Sequence, residues 1–126
     1  MDYSGFKTIV YQIIQQLDGK VNSCWQASAT PNFHAAEIEF KRQKIYVLCN
    51  IEGDWAYSSY FAEDDCNLAF INFPEFSALL MQLYGYVSLT QTELDGRFVA
   101  REHMLASDIK YWRPQTLGEG LFNWWD

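Results

Sequence analysis

The middle of this sequence has no basic side chain. Residues 45–96, between Lys44 and Arg97, contain no Lys, Arg or His but eight carboxylates, and the remaining residues have eight acids and nine bases. The net charge of −7 and the pI near 4.7 therefore originate in the middle of the chain. Nucleic acids and anionic membranes are poor partners for such a protein, because both are bound by clustered Lys and Arg.

Several other signals are missing. The three cysteines, Cys24, Cys49 and Cys66, form no CxxC pair. No apolar run approaches the ~18 residues of a membrane span, and the N-terminus does not follow a basic start with an apolar run as a secretory signal does. We therefore expect a cytoplasmic protein with reduced thiols and no membrane association.

Catalytic and metal-binding signatures are missing as well. Neither GxSxG nor SxxK occurs, and the spacing of Cys24, His34, Cys49 and Cys66 matches no zinc pattern. His103 is the remaining candidate for acid–base chemistry, and its neighbours are typical of an exposed surface segment. No calcium loop and no Walker lysine is present. We therefore predict a protein that is not an enzyme and has no cofactor or metal.

The first segments have clear periodicities. Apolar residues recur at helical spacing over 6–17, with Ser4 as the expected N-cap and Gly19 after the last turn. Residues 33–40 and 44–51 alternate in polarity, which predicts a hairpin with one buried and one solvent-exposed face. Further strands are predicted at 21–29, 55–61 and 68–73.

The last third of the chain is predicted to be mostly helical. Helices are expected at 74–84, between Pro74 and Gly85, and at 103–111. Thr90 and Thr116 each begin a Thr-x-x-Glu sequence, which is the pattern of a capping box. Gly118 and Gly120 weaken the final helix, so we expect packing to hold the aromatic C-terminal segment in place.

These elements predict one α+β domain spanning residues 1–126. It has an N-terminal helix, an antiparallel meander of about five strands, and C-terminal helices, with the helices covering one face of the sheet. With 49% hydrophobic and 17% aromatic residues, the chain is rich enough in apolar side chains to form an ordered core.

Acidic and aromatic residues alternate on both sides of the predicted strand at 55–61. Protein interfaces commonly place aromatic anchors at the centre and charges at the rim. We expect the two segments at the two ends of this strand and predict that they bind a basic protein. The predicted partner-binding residues are Glu52, Asp54, Trp55, Tyr57, Tyr60, Glu63, Asp64 and Asp65.

The overall character, small, acidic, aromatic and without a catalytic signature, resembles the immunity proteins of bacterial toxin–immunity systems. Residues 112–119 (WRPQTLGE) and 122–126 (FNWWD) are also similar to the C-terminal segment of a group of small bacterial proteins. The resemblance implies that the chain neutralises a cognate toxin domain, often a basic nuclease, by binding it directly. It identifies no functional residue.

Two alternatives remain open. One is a small-ligand-binding protein or enzyme with a cavity between the sheet and the helices near His103, using Arg97 or Arg101. The other is a homodimer formed through an exposed aromatic patch at Trp124 and Trp125.

Overall fold

The computed structural model describes residues 1–125, so Asp126, the last residue of the segment on which the resemblance depends, lies outside it. The elements are α1 (Tyr3–Gln16), β1 (Lys20–Trp25), β2 (Phe33–Phe40), β3 (Gln43–Asn50), β4 (Trp55–Ser58), β5 (Phe70–Ile71), α2 (Pro74–Tyr84), α3 (Gln91–Asp95), α4 (Ala106–Trp112) and α5 (Leu117–Leu121). The α+β class, the N-terminal helix, the five-stranded antiparallel sheet and the C-terminal helices are confirmed.

Helix α1 begins two residues earlier than its predicted cap requires. The Asp2 carboxylate, not Ser4, accepts the helix-terminal N–H, from Gly5 at 2.8 Å. Aspartate caps at least as well as serine, and starting at Tyr3 places the apolar stripe against the sheet. Phe6, Val10 and Ile13 are completely buried there.

The sheet is a simple meander in the order β1-β2-β3-β4-β5. In the β2–β3 hairpin Ala36 lies opposite Val47, as the alternation predicts. Its two turn residues, Lys41 and Arg42, both have positive φ, at 50° and 65°. This is the left-handed geometry of a tight hairpin, which non-glycine residues adopt only at a cost.

Both faces of the sheet are covered, so the prediction of helices on one face is wrong. Helices α1 and α2 pack on one face, where the core includes Trp55, Tyr57 and Phe76. Helices α3 and α5 cover the other face, where Leu48, Ala56 and Leu121 meet. Strand β4 is therefore buried on both sides. The predicted solvent-exposed face of the hairpin is likewise partly buried, because this second helical layer covers it.

Several elements are shorter than their sequence patterns suggest. Strand β1 ends at Trp25, β4 ends at Ser58, and β5 has only two residues. Helix α4 begins at Ala106, three residues after the predicted start, and segment 97–102 forms only a single bridge between Arg97 and Thr116. Pattern alone overextends these elements because the loops between them are also rich in apolar side chains.

One predicted capping box is complete and the other is shifted. At α3 the Thr90 hydroxyl accepts from the Glu93 N–H while the Glu93 carboxylate accepts from the Thr90 N–H. At α5 the Thr116 hydroxyl accepts from the Glu119 N–H, but the Glu119 carboxylate accepts from Gln115 instead, at 2.8 Å. Both arrangements satisfy free amides at a helix start.

Candidate functional site

Two of the predicted anchors do not reach the surface. Trp55 is 0% exposed and Tyr57 is 1% exposed, because the two helical layers enclose β4. Their assignment as partner-binding residues is therefore wrong: an anchor must present its ring to the partner. Tyr60, at 43% exposure, does reach the surface.

The turn between β3 and β4 is held by its own carboxylate. Asp54 accepts a hydrogen bond from the buried Asn50 amide at 3.0 Å, and its N–H donates to the Asn50 side-chain oxygen at 2.8 Å. Asp54 therefore has a structural role in the turn. Glu52 is exposed and makes no side-chain hydrogen bond with any of the described residues, and the N-terminal ammonium of Met1 lies close to it, donating to the Ile51 carbonyl at 3.1 Å.

The acidic loop, defined as Glu63, Asp64 and Asp65, is built in the same way. The Glu63 carboxylate accepts from the Trp25 indole N–H at 2.8 Å. The Asp65 carboxylate accepts from the Asn67 N–H and from the Tyr60 hydroxyl, and these hydrogen bonds lower its pKa. Asp64 is exposed and has no such bond within residues 1–125. Asp64 is therefore the one carboxylate of the acidic loop that accepts no hydrogen bond within the described residues.

The acidic loop and the Glu52–Asp54 turn lie at the same end of the sheet, not at opposite ends of one strand as predicted. After β4 the chain folds back over the sheet, so that Phe61 packs against Trp25 and Phe33. Those residues end β1 and begin β2, and Phe33 pairs with Asn50 beside the turn. The two acidic segments therefore belong to one end of the molecule.

The C-terminal segment runs between these two acidic segments. The Asn50 amide donates to the Leu121 carbonyl at 2.9 Å on one side. The Trp124 indole N–H donates to the Glu63 carbonyl at 3.1 Å on the other. Asn32 adds a third attachment, with its N–H donating to the Asn123 carbonyl at 3.0 Å. As predicted, contacts with the rest of the protein hold this segment.

A groove opens beside the C-terminal segment. Its volume is about 310 Å³, and we call it the aromatic groove. It is lined by Cys66, Asn67, Trp112, Pro114, Glu119, Phe122, Asn123, Trp124 and Trp125. The rings of Trp112 and Trp125 are parallel within 3°, with centroids 6.4 Å apart. A smaller hollow of about 200 Å³ continues from it along α5 and adds Asp95 to the wall.

The carboxylates at the aromatic groove take part in no salt bridge within residues 1–125, and the nearest base along the chain is Arg113, between the lining residues Trp112 and Pro114. The one salt bridge among residues 1–125 joins Lys44 and Glu37 on the hairpin, away from the groove. Glu119 lines the groove, and Asp64 lies two residues before Cys66, another lining residue. Aromatic faces and carboxylates both attract cations, and the pairing is strongest where water is partly excluded.

His103, the residue of the alternative prediction, is exposed and lines neither the aromatic groove nor the hollow beside it, as described for residues 1–125. Within the same residues, no group of three His, Cys, Asp or Glu side chains is placed to hold a metal ion. No helix in the described part of the chain is long and apolar enough to cross a membrane.

Sequence reasoning missed the groove residues Trp112, Glu119 and Cys66, and it assigned Trp124 and Trp125 to a possible dimer patch. The aromatic run at the C-terminus was a usable signal. What the sequence lacked was the pairing of this segment with the acidic loop, which is about sixty residues away along the chain. Comparison with the models of known protein families, with curated proteins and with solved structures finds no match to this chain.

Proposed function

We propose that this chain is a protein-binding module that captures a basic segment of a partner in the aromatic groove. The observation that carries the proposal is that the two acidic segments lie on either side of an aromatic C-terminal segment and form no salt bridge within residues 1–125. A lysine or arginine side chain is the chemical complement of such a groove. Arginine fits best, since its planar group stacks on indole rings.

The charge distribution supports a role in capture. A one-signed field around a cleft raises the association rate of an oppositely charged partner, by about 10- to 1000-fold at low salt. The same field disfavours a second copy of this acidic chain at the groove, because like charges would meet there. A homodimer through Trp124 and Trp125 is thus the weaker alternative, and both rings are already half-buried.

A toxin domain is the partner class that we favour. Nuclease active sites are cationic because they bind phosphate, and a cytoplasmic protein that offers carboxylates on a pre-formed surface can block them by direct binding. The proposed role is therefore that of an immunity protein. It rests on the charge and shape of the groove together with the resemblance described above.

The cellular test uses the gene next to this one. A basic toxin domain encoded there is expressed alone and together with this chain, and surviving cells are counted. Rescue by the chain, and loss of rescue in a groove variant, is the expected result. A neighbouring toxin that kills equally in the presence of the folded chain contradicts the immunity role.

The binding test separates the electrostatic effect on the association rate from the effect of the aromatic rings on the dissociation rate. With a basic partner in hand, the double variant Glu52→Lys/Asp64→Lys should slow association about tenfold, because these two charges are free of structural bonds. Glu102→Lys, an exposed acid elsewhere, is the matched control and should change the association rate less than about twofold. Raising the salt should reproduce the effect of the double variant.

Anchoring is tested by truncating a groove ring. Trp112→Ala should raise the dissociation rate and weaken binding by about 2 kcal/mol or more, as for other aromatic anchors. Tyr111→Ala is the control, since Tyr111 is its more exposed neighbour and does not line the groove. If both variants bind equally well, the aromatic groove is not the binding site.

A further inference from the structure

A buried histidine lies at the start of β2, outside the aromatic groove. His34 is 4% exposed, and both of its ring nitrogens are hydrogen-bonded. Nδ1 lies 2.8 Å from the Ala27 nitrogen, and Nε2 lies 2.9 Å from the Met1 carbonyl oxygen. A backbone N–H can only donate and a carbonyl oxygen can only accept. These contacts therefore fix the neutral tautomer, in which Nδ1 accepts and Nε2 has the hydrogen.

Protonation of this ring can occur at one atom only. Nε2 already has a hydrogen, so an added proton must bind to Nδ1, the atom that accepts from the Ala27 N–H. Two N–H groups then face each other across 2.8 Å, and the hydrogen bond cannot persist. The bond from Nε2 to the Met1 carbonyl is compatible with both states and is stronger when the ring is charged. Protonation therefore breaks the contact on the Ala27 side alone.

The charged and titratable groups around the ring come from three parts of the chain. Before α1, the Met1 amino group opposes a positive charge on the ring and the Asp2 carboxylate favours it. On α1, the centroid of the Tyr3 ring lies 5.4 Å from that of the imidazole, and burial raises the pKa of Tyr3. On β3, Cys49 is opposite His34, and burial raises the pKa of its thiol to about 12. Tyr3 and Cys49 are therefore neutral near pH 6, the range in which a histidine titrates.

The bond that protonation breaks holds the segment between β1 and β2. Residues 26–31 form no helix or strand, none of their side chains is buried, and none is ionisable. Their two other hydrogen bonds are internal, and both are made by Ser28. Within residues 1–125, the bond from the Ala27 N–H to His34 is the one hydrogen bond that joins this segment to the rest of the protein. Segments with so few buried contacts open locally at a low free-energy cost.

We propose that His34 is a proton-controlled latch on residues 26–31: the segment is closed while the imidazole is neutral and opens locally when the imidazole is protonated. The segment joins two attachments of the candidate site. Trp25, directly before it, donates to Glu63 of the acidic loop, and Asn32, directly after it, is bonded to the C-terminal segment. The latch needs no partner protein and is independent of the proposed function.

Hydrogen exchange of single backbone amides, measured by NMR, tests the latch. The protection factor of the Ala27 amide should be constant above pH 6.5 and fall by about three- to tenfold between pH 6.5 and 5.5, because opening takes up at most one proton. The Ala69 amide is the control, since it donates to the Ser58 hydroxyl at 3.0 Å, an acceptor that does not titrate. Its protection should not change. The proposal is overturned if the protection of Ala27 is constant as well, or if both amides lose protection equally, because the opening is then global.

Two histidine variants assign the effect. In His34→Asn the side-chain oxygen can replace Nδ1 as the acceptor and does not titrate, so the protection of Ala27 should no longer depend on pH. His103→Asn, at the exposed histidine, is the matched control and should retain the fall. A fall that persists in His34→Asn, or is lost in His103→Asn, contradicts the proposal. The two amides of the unmodified chain decide the matter even if His34→Asn does not fold.

Discussion

Replacing Gly118 by alanine should destabilise the protein, although the same change stabilises most helices. Gly118 lies in α5 and is buried. A Cβ atom at this position would meet three ring atoms of Phe70, all within 3.0 Å. The helix approaches the sheet so closely only because this residue has no side chain. A Cβ atom at Gly120 would likewise meet the Phe98 ring, within 3.0 Å. The two glycines that weaken α5 as an isolated helix therefore allow it to pack.

The expected size follows from two opposing effects. Alanine favours a helix over glycine by up to about 1 kcal/mol. Forcing a methyl group into a filled site costs about 1–3 kcal/mol, because the Phe70 ring or the helix has to move. The net loss should be about 1–2 kcal/mol, which for a chain of this length corresponds to about 3–6 °C in Tm.

Urea unfolding followed by tryptophan fluorescence measures this loss directly. Ser107→Ala, in the exposed face of α4, is the control and should change stability by less than about 0.5 kcal/mol. Adding Phe70→Leu to Gly118→Ala should cost less than the sum of the two single changes, because the smaller side chain makes room for the methyl group. A Gly118→Ala protein as stable as the unmodified chain would refute the packing argument.

Three further changes test the fold around the site. Arg42→Gly should raise the stability by about 1 kcal/mol in urea unfolding, since glycine adopts the positive φ of the hairpin turn without the steric cost that arginine has there. Asp54→Ala should lower it by about 1–3 kcal/mol, because the buried Asn50 amide loses an acceptor. Burial lowers the pKa of His34, whose Nδ1 accepts from the Ala27 N–H. The contribution of His34 to the free energy of unfolding should therefore be fully present above pH 6.5, the pKa of an unfolded histidine. It should decrease below that pH, because the unfolded chain binds a proton more readily than the folded chain does. Urea midpoints at pH 7.5 and 5.5 measure this fall, which should be smaller in His34→Asn; equal midpoints would contradict it.

Local patterns predicted the elements whose neighbours in space are also neighbours in sequence. Helix α2 runs from Pro74 to a Gly85 cap with φ of 75°, because proline suits the first turn and glycine accepts the left-handed cap. The β2–β3 register followed from alternation, since one slip would expose the core face. In both cases the determining residues lie within a few positions of each other.

The candidate site depends on contacts that sequence patterns do not encode. Glu63 meets Trp25 from 38 residues away and Trp124 from 61 residues away. Neither contact produces a periodic pattern in the sequence. Trp55 was expected at the surface because acidic residues precede it, yet the second helical layer buries it. Residues 45–96, which have no basic side chain, correctly indicated where the negative charge lies. In the structure, Glu52 and Asp64 are the carboxylates of the two acidic segments that accept no hydrogen bond within residues 1–125.

The central claim is that the aromatic groove accepts a cationic side chain. The most direct measurement is an NMR titration of the tryptophan indole N–H signals with a short arginine-containing peptide and with the same peptide containing citrulline, an uncharged isostere. We predict that the arginine peptide shifts the signals of Trp112, Trp124 and Trp125, less strongly at high salt and in Asp64→Lys, and that the citrulline peptide does not. Equal shifts with both peptides, or none with either, would contradict the account.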